Sequence, residues 1–196
     1  TGFRSSLQQA LSIKRREAGA LDAILAEDIA DFPGLNLAEA IQRLPGVTIE
    51  RDYGQGRTIS VRGLNSDFTR VRINGLEAQA AAGGNRSRSF DFSVFASELF
   101  NSITVRKTQS AEIEEGSLGA TVDLQTGRPF DYGAGFNAAA SVQASYNDLS
   151  ESTLPRTAGL LSWTNDNETF GALVSVAYSE RKPISGSFNT TRWQRG

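Results

Sequence analysis

Neither cysteine nor histidine occurs in the 196 residues. The first absence removes disulfides, thiolate nucleophiles and thiolate metal sites together. The second leaves acid–base chemistry to carboxylates, and no carboxylate pair stands in a pocket-like context. An enzyme is therefore the weaker class, with a carboxylate-pair glycosidase as its surviving form. Charge of one sign is also lacking. Lys and Arg total 20 against 22 Asp and Glu, and with no basic helix or stacking surface nothing argues for nucleic acid. No run of 18 or more apolar residues exists, so no helix crosses a bilayer and any membrane contact falls to strands. The chain begins at Thr1 without Met, a basic n-region or an apolar h-region. A secretory signal, if the gene encodes one, is expected to have been removed or to lie upstream. The polar stretch 189–196 is expected to be a loop interrupted midway.

What is present is period-two alternation near the C-terminus, over Phe136 to Tyr146, Ala158 to Thr164 and Glu168 to Ser179. In the first stretch Phe136, Ala138, Ala140, Val142, Ala144 and Tyr146 share one face. The third repeats the pattern with Phe170, Ala172, Val174, Val176 and Tyr178. A tilted strand of about 11 residues spans roughly 25 Å, the height of an outer-membrane barrel's apolar band, and aromatic ends suit its interfacial girdles. The same alternation describes a half-buried strand in a soluble sandwich, for instance a glycan-binding module. Loop lengths tilt the reading toward a barrel. Asp148 to Thr157 reads as a long polar loop and Asn165-Asp166-Asn167 as a tight turn, the asymmetry of extracellular and periplasmic connections.

Upstream the pattern differs. Residues 1–20 read as a mobile lead-in with a helical turn or two, interrupted by Gly19 and the charge run Lys14 to Glu17. Leu21 to Ile29 predicts a short strand running into a short helix that stops at Phe32-Pro33-Gly34. Asn36 followed by Glu39 predicts a capped helix with Leu37, Ile41 and Leu44 on one face, ended by Pro45-Gly46. Short alternating strands follow at Val47 to Glu50, Thr58 to Arg62, Arg70 to Ile73, Ile103 to Lys107 and Thr121 to Gln125. Between Ile73 and Ile103 lies a long insertion whose middle, 78–89, is rich in Ala, Gly and Arg, and a loop of that length is usually functional or disordered. Composition changes at Thr126 to Tyr132, which sets a boundary near Gly127-Arg128-Pro129.

Taken in order, Asn36 to Val47, Ile59-Ser60-Val61-Arg62-Gly63-Leu64, Val71-Arg72-Ile73-Asn74-Gly75, Ile103 to Lys107 and Glu115 to Leu124 resemble the plug domain of TonB-dependent outer-membrane transporters. The resemblance covers roughly 1–130. It implies an α+β plug domain, a small mixed sheet with short helices, followed by antiparallel transmembrane β-barrel strands, the first of about 22. The implied division is a lead-in over 1–20, a plug over 21–130 and three barrel strands with their loops over 131–196. In such transporters TonB, energised with ExbB and ExbD, pulls on a short box expected here upstream of Thr1. A scarce ligand binds the plug's extracellular apex. The stretch Thr1 to Leu7 resembles the subgroup frequent in oligosaccharide-scavenging proteobacteria, so the ligand is expected to be an oligosaccharide, with siderophore or cobalamin as the alternative. Ala120 replaces a second glycine that the family often carries after Gly119.

The resemblance assigns Arg62 and Arg106 to ion pairs with wall glutamates that lock the plug, against an ordinary solvated arginine. The apical ligand surface is expected at Asn65 to Thr69 and Glu77 to Phe90. Asn65, Asp67, Phe68, Gln79, Asn85, Arg86 and Arg88 are its candidate residues, offering polar donors and acceptors on loops held by a rigid sheet. Gly46, Gly63, Gly75, Gly116 and Gly119 are read as structural turns. Glu112, Glu114 and Glu115 read as a solvated acidic turn, and Asn165 to Glu168 as a hairpin turn. No metal or cofactor is expected. Outer-membrane lipid is the further expected partner.

Overall fold

The computed structural model describes residues 2–25, 36–52, 55–78, 87–95, 97–111, 113–147 and 151–180. Its first element departs from the expected mobile lead-in: the chain forms a 15-residue helix, α1 (Gly2–Arg16). Lys14, Arg15 and Arg16 fill its last turn, where positive charge meets the negative end of the helix dipole. The charge run therefore ends a helix instead of preventing one. Strand β1 (Leu21–Leu25) follows as expected, while the helix anticipated before Gly34 falls outside the described residues.

Helix α2 (Leu37–Ile41) begins as its sequence requires. Asn36 Oδ1 accepts the Glu39 N–H at 3.2 Å, and Leu37, Ala38 and Ile41 are fully buried. Strands β2 (Val47–Asp52) and β3 (Gln55–Val61) form a hairpin of their own, so the single small sheet expected is in fact two. The larger comprises β4 (Thr69–Ile73), β5 (Leu76–Glu77), β6 (Phe100–Arg106) and β7 (Ala120–Thr126) with β1, in the order β1-β6-β7-β4-β5. Only β4 and β7 run parallel. The two-residue β5 has no alternation long enough to read in sequence.

Alternation decides which side of this sheet becomes core. Val71, Ile103, Val105, Val122 and Leu124 pack with Leu37, Ile41, Ile59, Val61 and the rings of Phe90, Phe92 and Phe100. The intervening residues Thr121 and Asp123 are also buried, so the opposite side of β7 is polar but shielded from solvent, and its charge has to find partners.

Three long strands complete the fold: β8 (Gly135–Asn147), β9 (Ser152–Thr164) and β10 (Gly171–Ser179), antiparallel in the order β10-β9-β8. Their register aligns the apolar residues in rows: Phe136, Trp163 and Ala172; Ala138, Leu161 and Val174; Val142, Thr157 and Tyr178. This face is uncovered, with Val142 79%, Val174 62% and Tyr178 58% exposed. Trp163 meets Phe170 edge to face at 6.2 Å at one margin. An exposed, continuous apolar face with aromatic margins is what a lipid-facing wall requires and what a soluble sandwich buries.

One expectation fails here. The long polar loop over 148–157 does not exist, because Ser152 to Thr157 pair with Val142 to Asn147. Pro155, a residue that reads as a strand breaker, sits within β9 opposite Ala144, and the polar neighbours that suggested a loop belong to a strand. The connections are 148–151 and 165–170, so the predicted asymmetry of loop lengths is absent. In the second, Asn165 Oδ1 accepts the N–H groups of Thr169 and Phe170 at 2.8 and 2.9 Å. The hairpin turn is therefore present, and β10 starts at Gly171 instead of Glu168.

Candidate functional site

The loops before β4 and before Phe90, far apart in sequence, meet through one carboxylate. Asn65 Oδ1 accepts the Asp67 N–H at 2.9 Å and opens a 3-10 turn over Ser66–Phe68, an Asx arrangement that aims the Asp67 side chain across the gap. Asp67 Oδ1 then accepts Ser87 Oγ at 2.7 Å, Arg88 N at 2.9 Å and Ser89 N at 3.0 Å. The Ser87 hydrogen bond, with the two backbone donors, holds the Asp67 carboxyl below its ordinary range.

Asp67, Ser87 and Ser89 thereby form a partition between two polar clefts. One, of about 310 Å³, opens toward the β2–β3 hairpin and is lined also by Glu50, Arg57 and Asn65. The other, of about 380 Å³, is lined by Arg70, Glu77, Arg88 and Phe90. Both the Arg88 side chain and Phe68, 42% exposed, face solvent. Of the candidate surface residues, Asn65, Asp67, Phe68 and Arg88 are thus placed, Asn65 and Asp67 being committed to holding the loops together. Gln79, Asn85 and Arg86 lie outside the described residues.

Sequence reasoning missed the second support of this surface. Arg57 reaches Asp52 at 2.7 Å and Asp91 at 2.8 Å, tying the hairpin to the end of the insertion. Asp91 Oδ1 accepts the Ser93 N–H at 2.9 Å. Burial pushes the Asp91 carboxyl up, but the Ser93 and Arg57 bonds outweigh it and leave it lowered. Its one legible signal was an Asp two residues before Ser93, an Asx-turn pattern.

The acidic turn is not wholly solvated. Glu114 pairs with Arg70 at 3.2 Å, and Arg70 also reaches Glu77 at 3.4 Å. Gly116 lies beneath that guanidinium at φ +117°, and a Cβ there would come within 3.3 Å of Arg70 Nη2. Glu112 lies outside the described residues. Among the described residues no group of acidic side chains is placed to hold a metal ion.

The two arginines singled out in sequence differ in their surroundings. Arg62 is exposed at φ +57°, in a turn with Gly63 where its N–H donates to Gly46 O at 2.8 Å. Arg106 is drawn inward. Its Nη1 lies 3.1 Å from Glu17, just beyond α1, and its Nε 3.6 Å from Asp123. Asp123 is also bonded by Arg72 from β4. Gly46, Gly63, Gly75 and Gly116 all take positive φ, as turn glycines do, whereas Gly119 does not. Its task is close approach: its N–H donates to Phe68 O at 3.0 Å, and a Cβ would press on that oxygen at 3.3 Å.

The sequence model of the TonB-dependent Receptor Plug Domain family matches residues 13–121. Among solved structures, the siderophore receptor PirA from Acinetobacter baumannii superposes with a TM-score of 0.67 at 19% identity, over 85% of this chain and 25% of that one. A mutant ferric enterobactin receptor, PfeA, from Pseudomonas aeruginosa in complex with enterobactin gives 0.65 at 21% identity, over 84% and 25%. The alcaligin outer membrane receptor FauA from Bordetella pertussis gives 0.59 at 18%, over 84% and 27%. The chain spans about a quarter of the length of these receptors, and at such identity the likeness is one of fold.

Proposed function

The chain belongs to the TonB-dependent receptor plug-domain family, and from that premise we propose that it forms the gate and first wall strands of an active uptake system for a scarce ligand in the Gram-negative outer membrane. The observation that carries this reading is the exposed apolar face of β8–β10 beside a compact polar-surfaced unit. Three strands cannot close, and open edges in lipid leave backbone groups unpaired at several kcal/mol each. The wall is therefore completed by further strands, and a barrel of about 22 strands needs a separate body in its lumen. Residues 21–130, with α1 docked on them, are that body, and 131–196 begin the wall. TonB, driven through ExbB and ExbD, engages a box upstream of Thr1, and Arg62 and Arg106 contribute to holding the plug closed.

The ligand surface is the pair of clefts divided by Asp67, with Arg88 and the 79–86 loop. Their polar lining suits hydroxyl-rich or anionic groups. An oligosaccharide remains the first reading, from the resemblance of Thr1 to Leu7. A ferric siderophore is the second, supported by structural neighbours that are siderophore receptors. The test is growth of a strain lacking the parent gene on limiting oligosaccharides and on siderophore-bound iron, each with and without TonB. A TonB-dependent defect on oligosaccharides alone supports the first reading, and a defect on iron alone replaces it with the second. Uptake that persists without TonB refutes the mechanism.

A further inference from the structure

The Pro129 carbonyl joins the long strands to the five-stranded sheet, beside a second contact in which Arg156 on β9 donates to Ser97 Oγ at 3.1 Å. Pro129 opens a short 3-10 turn, Pro129–Tyr132, and its C=O accepts hydroxyl hydrogens from Thr164 at 3.0 Å and Ser162 at 3.3 Å, both on β9. These two residues alternate with the exposed Leu161 and Trp163, so they point to the inner side of the strand, yet each is only 1% exposed. Gly171 on β10 completes the seat, since a Cβ there would stand 2.7 Å from Pro129 Cβ. The other side of the turn is tied to β6. Tyr132 Oη donates to Asn101 Oδ1 at 3.1 Å, and Asn101 Nδ2 donates to Asp131 Oδ2 at 3.2 Å.

These wall-side contacts differ in kind from the ion pairs that hold α1 and the loops. A hydroxyl-to-carbonyl bond carries no net charge, so salt does not screen it and neither partner titrates near neutrality. Removing both hydroxyls would strip the part-buried Pro129 carbonyl of these two donors, and that loss makes the seat selective for hydroxyl-bearing residues. Resting on the reading of β8–β10 as barrel wall, we propose that Ser162 and Thr164 are positioning residues. By gripping the Pro129 carbonyl they fasten the plug to the wall at its C-terminal root, and this fixed point stays closed while ionic contacts elsewhere open.

The experiment uses the full-length receptor in outer-membrane vesicles. It reads amide exchange over 127–135 and passive entry of a small hydrophilic dye, at low and high NaCl. Ser162→Ala with Thr164→Val is expected to speed exchange by on the order of tenfold per lost bond and to raise dye entry, equally at both salt levels. Exchanging the residues, Ser162→Thr with Thr164→Ser, keeps both hydroxyls and is expected to keep wild-type values. Gly171→Ala retains the hydroxyls but displaces Pro129, and is expected to reproduce the double removal. Wild-type exchange and dye entry in an inserted Ser162→Ala/Thr164→Val protein overturn the proposal, as does a hydroxyl-exchanged variant that behaves like the removal. If the double variant does not insert, Thr164→Val alone is read by the same criteria. The wall reading is checked separately by labelling Val174→Cys with a lipid-phase reagent. Absence of label there refutes the wall, while fast exchange at 127–135 still reports the grip.

Discussion

Lys14 Nζ lies 2.6 Å from Asp22 Oδ1, tying the last turn of α1 to the first strand of the five-stranded sheet. Lys107, 9% exposed at its side chain, bonds the other oxygen of the same carboxylate and donates to Pro45 O. One acid therefore joins the N-terminal helix, an edge strand, the end of β6 and the turn after α2.

Asp22→Asn should loosen this end of the fold. It leaves two cations around a neutral group, one of them largely buried, at a cost of about 2 kcal/mol. Hydrogen exchange in the parent receptor should quicken in α1 and β1 and stay unchanged in β7. Burial pushes the Asp22 carboxyl up, but bonds from Lys107 and Lys14 outweigh it and the net shift is downward. With a lowered folded-state value, the stabilisation is present above the ordinary carboxylate range and fades as pH falls below it. Protection of β1 that is unaltered by acid would contradict this.

Asp67→Ala should release Ser87 to Ser89 and merge the two clefts. Ligand affinity is expected to fall at least tenfold, roughly 1.4 kcal/mol, with the receptor's melting temperature nearly unchanged, because the exposed loop adds little to the core. Since Asp67 is shifted downward, the same loosening should appear in wild type only on acidification below the usual carboxylate range. Deleting Ala80 to Ser87 should abolish high-affinity binding while expression persists. Isothermal titration against whichever ligand growth tests identify decides both.

Arg62→Ala and Arg106→Ala should separate two tasks. Both are expected to raise passive leak of small solutes, but only Arg106→Ala should also speed exchange in α1, because only Arg106 contacts Glu17. Leak unchanged in the double variant would remove the lock.

Val174→Arg and Ser175→Arg are neighbours on opposite faces of β10. On a lipid-facing wall the first costs about 2–4 kcal/mol near mid-membrane and should lower the yield of inserted, heat-modifiable barrel, while the second should be tolerated. Equal tolerance would place both faces in water.

The parts of the fold legible in sequence are those carried by neighbours a few positions apart. Asn36 and Glu39 define a helix start without help from the rest of the chain, and Val174, Val176 and Tyr178 announce a face because strand side chains alternate. The junction, the partition and the ionic hub were not legible. Lys107 meets Asp22 across 85 residues, Arg72 meets Asp123 across 51, and Pro129 seats against Gly171 only because β9 and β10 pair in one register. Nothing about an isolated Ser162 distinguishes it from the other hydroxyls of β9. Local signals also misled twice: the Lys14 to Glu17 charges argued against the helix they end, and the polar residues of 148–157 argued for a loop where β9 begins.

By itself the sequence determined that this chain carries a mixed α/β unit followed by strands with one oily face, because both depend on the spacing of side chains along a regular backbone. Only the tertiary structure decided which of its many acids, arginines and hydroxyls act in concert. Those partnerships depend on how the sheets stack and in what register, and burial then obliges each polar group to find a partner there.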